Sequence, residues 1–158
     1  MCMSLLILYP PDAGAEALAR RMGGQVACLD AVKGEIIEAA EMLVLVSTDY
    51  YRAGCWAIKR WLSANADILR GKPCACCVSA ASGELALRTI VSQLLSLACL
   101  VAPCATLCRD GILRPGGDGE ALGDGWTPKT YYRKMELICA LFRQFHENTL
   151  DFQVPLVG

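Results

Sequence analysis

The sequence predicts an α/β domain: a parallel sheet with helices covering both of its faces. Three observations predict it. Five short apolar segments alternate along the chain with five helical ones. The apolar segments are continuous rather than alternating, as in strands buried on both sides. Gly and Pro punctuate many of the junctions. Strand–helix–strand order of this kind makes βαβ units, whose crossovers lay helices against the sheet.

The elements follow in order. Leu5 to Tyr9 is a short apolar strand closed by Pro10-Pro11. Ala13 to Met22 is rich in Ala, Leu, Arg and Glu, and reads as a helix ended by Gly23-Gly24. Gln25 to Leu29 is a second strand and Lys33 to Ala40 a short helix. Met42 to Ser47, reading Met-Leu-Val-Leu-Val-Ser, is the clearest strand. Trp56 to Ala66 is a helix with Ile58, Trp61 and Leu62 on one face. Gly71-Lys72-Pro73 breaks the chain before a fourth strand, Cys74 to Ser79. Gly83 to Leu97 is a long helix and Leu100 to Leu107 a fifth strand. Asp110 to Thr127 holds six glycines and reads as a loop. Pro128 to Asn148 is the final helix, with Pro128 suited to its first turn.

One domain is expected over the 158 residues. With 54% hydrophobic and 20% charged residues, disorder is excluded. The net charge is −1 and no basic block occurs, so nucleic acid is not an expected partner. A mean hydropathy of +0.36 raises the question of a membrane. The longest uncharged run, Thr89 to Cys108, is long enough to span one. Ser92, Gln93, Ser96 and Pro103 interrupt it, however. Leu87, Ile90, Val91, Leu94, Leu95 and Ala98 fall on one helical face, and a strand follows. No membrane span is therefore expected. The N-terminal apolar run, Leu5 to Leu8, is too short for a secretion signal, so a cytoplasmic protein is expected.

Ten cysteines without a secretion signal predict free thiols. Cys74, Cys76 and Cys77 lie in an apolar run and read as small buried hydrophobes rather than metal ligands. Cys55 stands near a helix start, where a thiol is readily ionised, and offers a weaker thiol-redox reading. His146 is the single histidine and falls on the polar side of the last helix, so no Ser-His-Asp or Cys-His set forms around it. Open parallel sheets bind ligands at the carboxyl ends of their strands, where the strand order reverses. The loops expected there are Pro10 to Gly14, Ser47 to Cys55 and Ser79 to Gly83, with Asp110 to Thr127 at the same end.

The segment Ser47-Thr48-Asp49-Tyr50-Tyr51-Arg52-Ala53-Gly54-Cys55-Trp56-Ala57-Ile58-Lys59 resembles the third-strand loop of the NADPH-dependent FMN reductase family, within the flavodoxin-like superfamily. Ser47, Tyr50, Tyr51, Ile58, Lys59, Trp61 and Leu62 fit that pattern without a gap. Leu69-Arg70-Gly71-Lys72-Pro73 is similar to the family's L-x-G-K-P before the fourth strand. Ser79 to Gly83 stands where the family has a Gly-rich loop, and Gln93-Leu94-Leu95 and Val101-Ala102-Pro103 follow in family order. The resemblance is strongest over residues 43–103.

It implies a flavodoxin-like three-layer sandwich over residues 1–158, with strand order 2-1-3-4-5. It implies FMN as cofactor and NAD(P)H as co-substrate, with electrons passed to a small molecule or a redox protein. It also implies a homo-oligomer, dimer or tetramer. The residues it assigns to the cofactor are Pro11, Asp12, Ala13, Gly14 and Ala15 at the phosphate. Ser47, Thr48, Asp49, Tyr50, Tyr51 and Arg52 would form the second loop, and Ser79, Ala80, Ala81, Ser82 and Gly83 the third. The flavin would carry the chemistry, with no catalytic side chain and no metal.

The first loop departs from the family's pattern. That family grips the phosphate with Ser or Thr hydroxyls and with N–H groups at a helix N-terminus. Here the loop runs Tyr9-Pro10-Pro11-Asp12-Ala13-Gly14-Ala15-Glu16, with no hydroxyl after Tyr9. Pro10 and Pro11 have no N–H, and Asp12 and Glu16 bring negative charge. A like charge ~4 Å away at an effective dielectric of ~20 costs about 4 kcal/mol. Arg20 and Arg21 would offset it only by folding back. Two readings stand: an FMN-dependent NAD(P)H oxidoreductase, or a flavodoxin-like module with a degenerate FMN site that binds or assembles without catalysis.

Overall fold

Continuous apolar runs become the centre of the sheet because both of their faces are covered. In the computed structural model, which describes residues 5–48, 53–79, 83–115 and 125–153, β1 (Leu5–Tyr9), β3 (Met42–Thr48) and β4 (Pro73–Ser79) form that centre. All seven residues of β3 are buried. β2 (Val26–Cys28) lies outside β1. The order is β2-β1-β3-β4-β6-β7, with β5 beside β4, and β1 to β6 pair in parallel.

The two-residue period of a strand sorts its side chains into two cores. Leu6, Leu8, Leu43, Leu45, Cys74, Cys76 and Val78 point to one face. There they meet α2 (Gly34–Ala39), α3 (Ala53–Ala64), α4 (Ala66–Leu69) and α5 (Gly83–Ser96) through Ile37, Ile58, Leu62, Leu69, Ile90 and Leu94. Leu5, Ile7, Val44, Val46, Ala75 and Cys77 point to the other face. They meet α1 (Ala13–Arg21) and α6 (Pro128–Gln153) through Leu18, Tyr131, Met135 and Cys139. This is the three-layer sandwich that the sequence predicts. Along α6, Leu137, Leu141 and Phe145 stay exposed.

Two expectations are corrected at the sheet's far edge, and the described residues hold seven strands rather than five. The strand expected over Leu100 to Leu107 is two pieces, β5 (Leu100–Val101) and β6 (Ala105–Leu107). Cys74 pairs with Val101 and Cys77 with Ala105, so two residues of β4 face three on the other side. The extra residue makes a bulge at Ala102-Pro103-Cys104, where Pro103 has no N–H for the ladder. The Cys76 N–H donates to Cys104 Sγ at 3.3 Å instead. The Pro103 carbonyl accepts from the Tyr131 hydroxyl at 2.7 Å.

The second correction lies in the expected loop Asp110 to Thr127. It contains β7 (Leu113–Pro115), antiparallel to β6. The connecting turn closes with the Gly111 N–H on the Cys108 carbonyl at 3.0 Å, and Gly111 has a φ of +81°. Asp110 accepts from the Ile112 N–H at 3.1 Å and from both outer nitrogens of Arg114, which fixes the hairpin. Trp126 then pairs with Leu113 through two bonds of 2.8 Å. Residues 116–124 lie outside the described residues.

The uncharged run of Thr89 to Cys108 divides into the end of α5, β5 and β6. Among the described residues no helix is long and apolar enough to cross a membrane. The described cysteines are free thiols, and no cluster among the described residues could hold a metal. Cys74 and Cys77 have the spacing of a C-x-x-C pair, but the strand sends them to opposite faces.

Candidate functional site

Element order locates the site before any side chain is considered. From β1 the chain crosses to β2 on one side, and from β3 to β4 on the other. The crevice between these diverging crossovers opens at the carboxyl ends of β1 and β3. The structure brings Pro11, Asp12, Ala13, Gly14, Ala15, Ser47, Thr48, Ser79 and Gly83 to this edge of the sheet. Asp49, Tyr50, Tyr51, Arg52, Ala80, Ala81 and Ser82 lie outside the described residues.

Asp12 governs the first loop. Its backbone is extended and its carboxylate accepts from the Ala15 N–H at 3.1 Å, capping α1. The Asp12 N–H donates to the Pro10 carbonyl at 2.7 Å, and the Glu16 N–H to the Asp12 carbonyl at 2.9 Å. Pro11, Ala13 and Gly14 are exposed and Ala15 is buried. An N-terminal helix turn attracts anions because its N–H groups lack partners and its dipole is positive. Here the chain supplies that anion itself.

The next charge is neutralised differently. Arg20 donates to Glu16 Oε1 through Nε at 3.2 Å and Nη2 at 3.0 Å. Arg20 Nη2 also donates to the Tyr9 hydroxyl at 3.4 Å, and its guanidinium carbon stands 5.9 Å from the Tyr9 ring centre. The Tyr9 hydroxyl donates to Glu16 at 3.3 Å. Burial, and then the Glu16 carboxylate, raise the Tyr9 phenol above its usual value. Arg20 therefore does fold back, but onto Glu16. An exposed pair of this kind adds little to stability.

The second wall is β3. Ser47 is buried and donates to the Thr48 carbonyl at 3.2 Å. Thr48 is 3% exposed. Its hydroxyl has no hydrogen-bond partner among the described residues. Gly54, in the first turn of α3, lies so close that an added Cβ would collide with Thr48 Oγ1 and stand 3.2 Å from Pro10 Cγ. The missing side chain thus lets α3 rest directly on the ends of β1 and β3. Ser79 closes β4 in register with Thr48 and Leu107. Cys55 is 1% exposed, which removes the solvent access that a redox thiol requires.

Among the described residues, the first loop sets two prolines without N–H groups and a carboxylate where an anion would meet α1, and that carboxylate occupies the Ala15 donor. Asp12 as a helix cap was readable from the sequence, since Asp before an Ala-rich helix is a strong N-cap signal. The contact of Gly54 with Thr48 and Pro10 carries no sequence signal of that kind.

No protein-family model matches the sequence, and no curated relative does. Solved structures do match in fold. A WrbA-like flavodoxin from Agrobacterium tumefaciens is similar at 17% identity, with a TM-score of 0.58 over 88% of this chain and 98% of that one. An archaeal flavodoxin is similar at 15% identity, with a TM-score of 0.56 over 68% and 87%. Flavodoxin 2 of Bacillus cereus is similar at 14% identity, with a TM-score of 0.55 over 87% and 97%. The fold is flavodoxin-like.

Proposed function

We propose that this chain is a binding or assembly module on a flavodoxin-like fold, with its phosphate loop closed by its own carboxylate. The observation that carries the reading is the Asp12 carboxylate on the Ala15 N–H at 3.1 Å. A phosphate dianion brought to α1 would have to displace that carboxylate or sit beside it. The crevice then serves a partner or a ligand that presents no phosphate there. The test is a visible absorbance spectrum of the purified protein, followed by FMN titration read through flavin fluorescence. A colourless protein and no saturable quenching at low micromolar FMN are expected. Stoichiometric bound flavin would overturn the reading.

A second reading has an observation of its own. The buried Thr48 hydroxyl at the end of β3, without a partner among the described residues, is the kind of group that a ligand satisfies. With the resemblance of Ser47 to Pro103 and the rings of Tyr50 and Tyr51, it supports an FMN-binding, NAD(P)H-dependent oxidoreductase. Such a protein would pass electrons to a small molecule or a redox protein. Steady NAD(P)H oxidation by the FMN-loaded protein, above that of free FMN, is what this reading requires. A cytoplasmic location and a homo-oligomer belong to both readings, and sedimentation over a concentration series tests the latter.

A further inference from the structure

The first turn of α1 makes a specific demand on any ligand. Its Ala15 N–H is taken by Asp12 Oδ1, and the Asp12 N–H by the Pro10 carbonyl. Pro10 and Pro11 have no N–H to offer. An added Cβ on Gly14 would stand 3.3 Å from Asp12 Oδ1, so the carboxylate lies directly over the turn. Arg20, further along α1, is held by Glu16 and by the Tyr9 hydroxyl. On the facing wall the buried Thr48 hydroxyl lacks a partner among the described residues, and Gly54 brings it close to Pro10. Among the described residues the crevice thus holds one buried neutral hydroxyl without a partner and, on the facing wall, a carboxylate.

We infer that Asp12 is a resident anion at the N-terminus of α1, and that it selects uncharged, hydrogen-bonding ligands against phosphate-bearing ones. The inference rests on the reading of the closed loop given above. It makes the loop a filter whose sign depends on one side chain. A like charge in this position lowers phosphate affinity by a factor of ~100 or more. Replacing the carboxylate by a hydroxyl would keep the cap and free the helix dipole for an outside anion.

FMN and riboflavin share one ring system and differ in the phosphate, so they are the probes. Wild type, Asp12→Ser and Asp12→Asn are titrated with each, following flavin fluorescence and the amide resonances of Gly14 and Ala15. Wild type is expected to bind FMN no better than riboflavin. In both variants FMN affinity is expected to rise ~100-fold, with riboflavin held within ~3-fold and the two amides shifting with FMN alone. FMN affinity within ~3-fold of wild type in both variants would overturn the inference. Circular dichroism shows that each variant is folded. Tight FMN binding by wild type would overturn the closed-loop reading and the inference with it, whereas variants without a gain overturn the inference alone.

Discussion

Ala98 has a φ of 60°, and among the described residues no other non-glycine has a positive φ. A residue with a Cβ pays about 1–2 kcal/mol for this conformation relative to the right-handed one. The surroundings hold it there. The Cys99 N–H bonds the Leu94 carbonyl at 3.0 Å, closing α5, and the Ala98 carbonyl accepts from the Gly71 N–H at 2.8 Å. Cys99 is then buried against the first core. Glycine is the residue this position favours. Ala98→Gly is expected to raise stability by about 0.5–1 kcal/mol, since relief of strain exceeds the added freedom of the unfolded chain. The urea midpoint measures it, and a lower midpoint would show that the Ala98 methyl contributes more by packing than it costs in strain.

At the scale of elements, the bulge at Ala102-Pro103-Cys104 depends on groups borrowed from elsewhere. Tyr131 is fully buried in α6 and reaches across to the Pro103 carbonyl. Tyr131→Phe keeps the ring but leaves that carbonyl without its donor. Loss of about 0.5–1.5 kcal/mol is expected, the net worth of one hydrogen bond to a carbonyl of an exposed residue, and chemical denaturation reads it. An unchanged midpoint would mean that water replaces the hydroxyl. The same edge explains what sequence patterning could not resolve. Leu5–Tyr9, Met42–Thr48 and Pro73–Ser79 stand out because each is buried on both faces. β5 has two residues and β6 three, too few for any period to show. Asp110-Gly111 was a readable hairpin signal, masked by the other glycines around it.

For the whole molecule, the place of the crevice follows from element order alone, whereas its occupant does not. Asp12 could cap α1 or turn outward with the same sequence, and only the bond to Ala15 decides between them. Cysteine placement was legible in outline, and it carries a consequence for stability against pH. Burial holds the Cys76 and Cys77 thiols well above their ordinary value and raises Cys104 from 9.0 to about 11. Burial, and then Cys77, raise the Tyr131 phenol as well. Cys99 moves the other way, lowered by its side-chain hydrogen bond with Cys74, and offsets part of the effect. For a raised group the folded state keeps its proton after the unfolded state has lost it. Stability is therefore complete below the unfolded thiol value and falls as pH rises through the folded one. For Cys104 that window runs from 9.0 to about 11. At about 1.4 kcal/mol per unit, this thiol alone removes roughly 2–3 kcal/mol across it. Urea midpoints measured under reducing conditions at about pH 7, 8 and 10.5 should be nearly level over the first step and drop over the second. A midpoint that holds at the highest pH would mean that these thiols ionise as readily inside the fold as outside it, contrary to their burial.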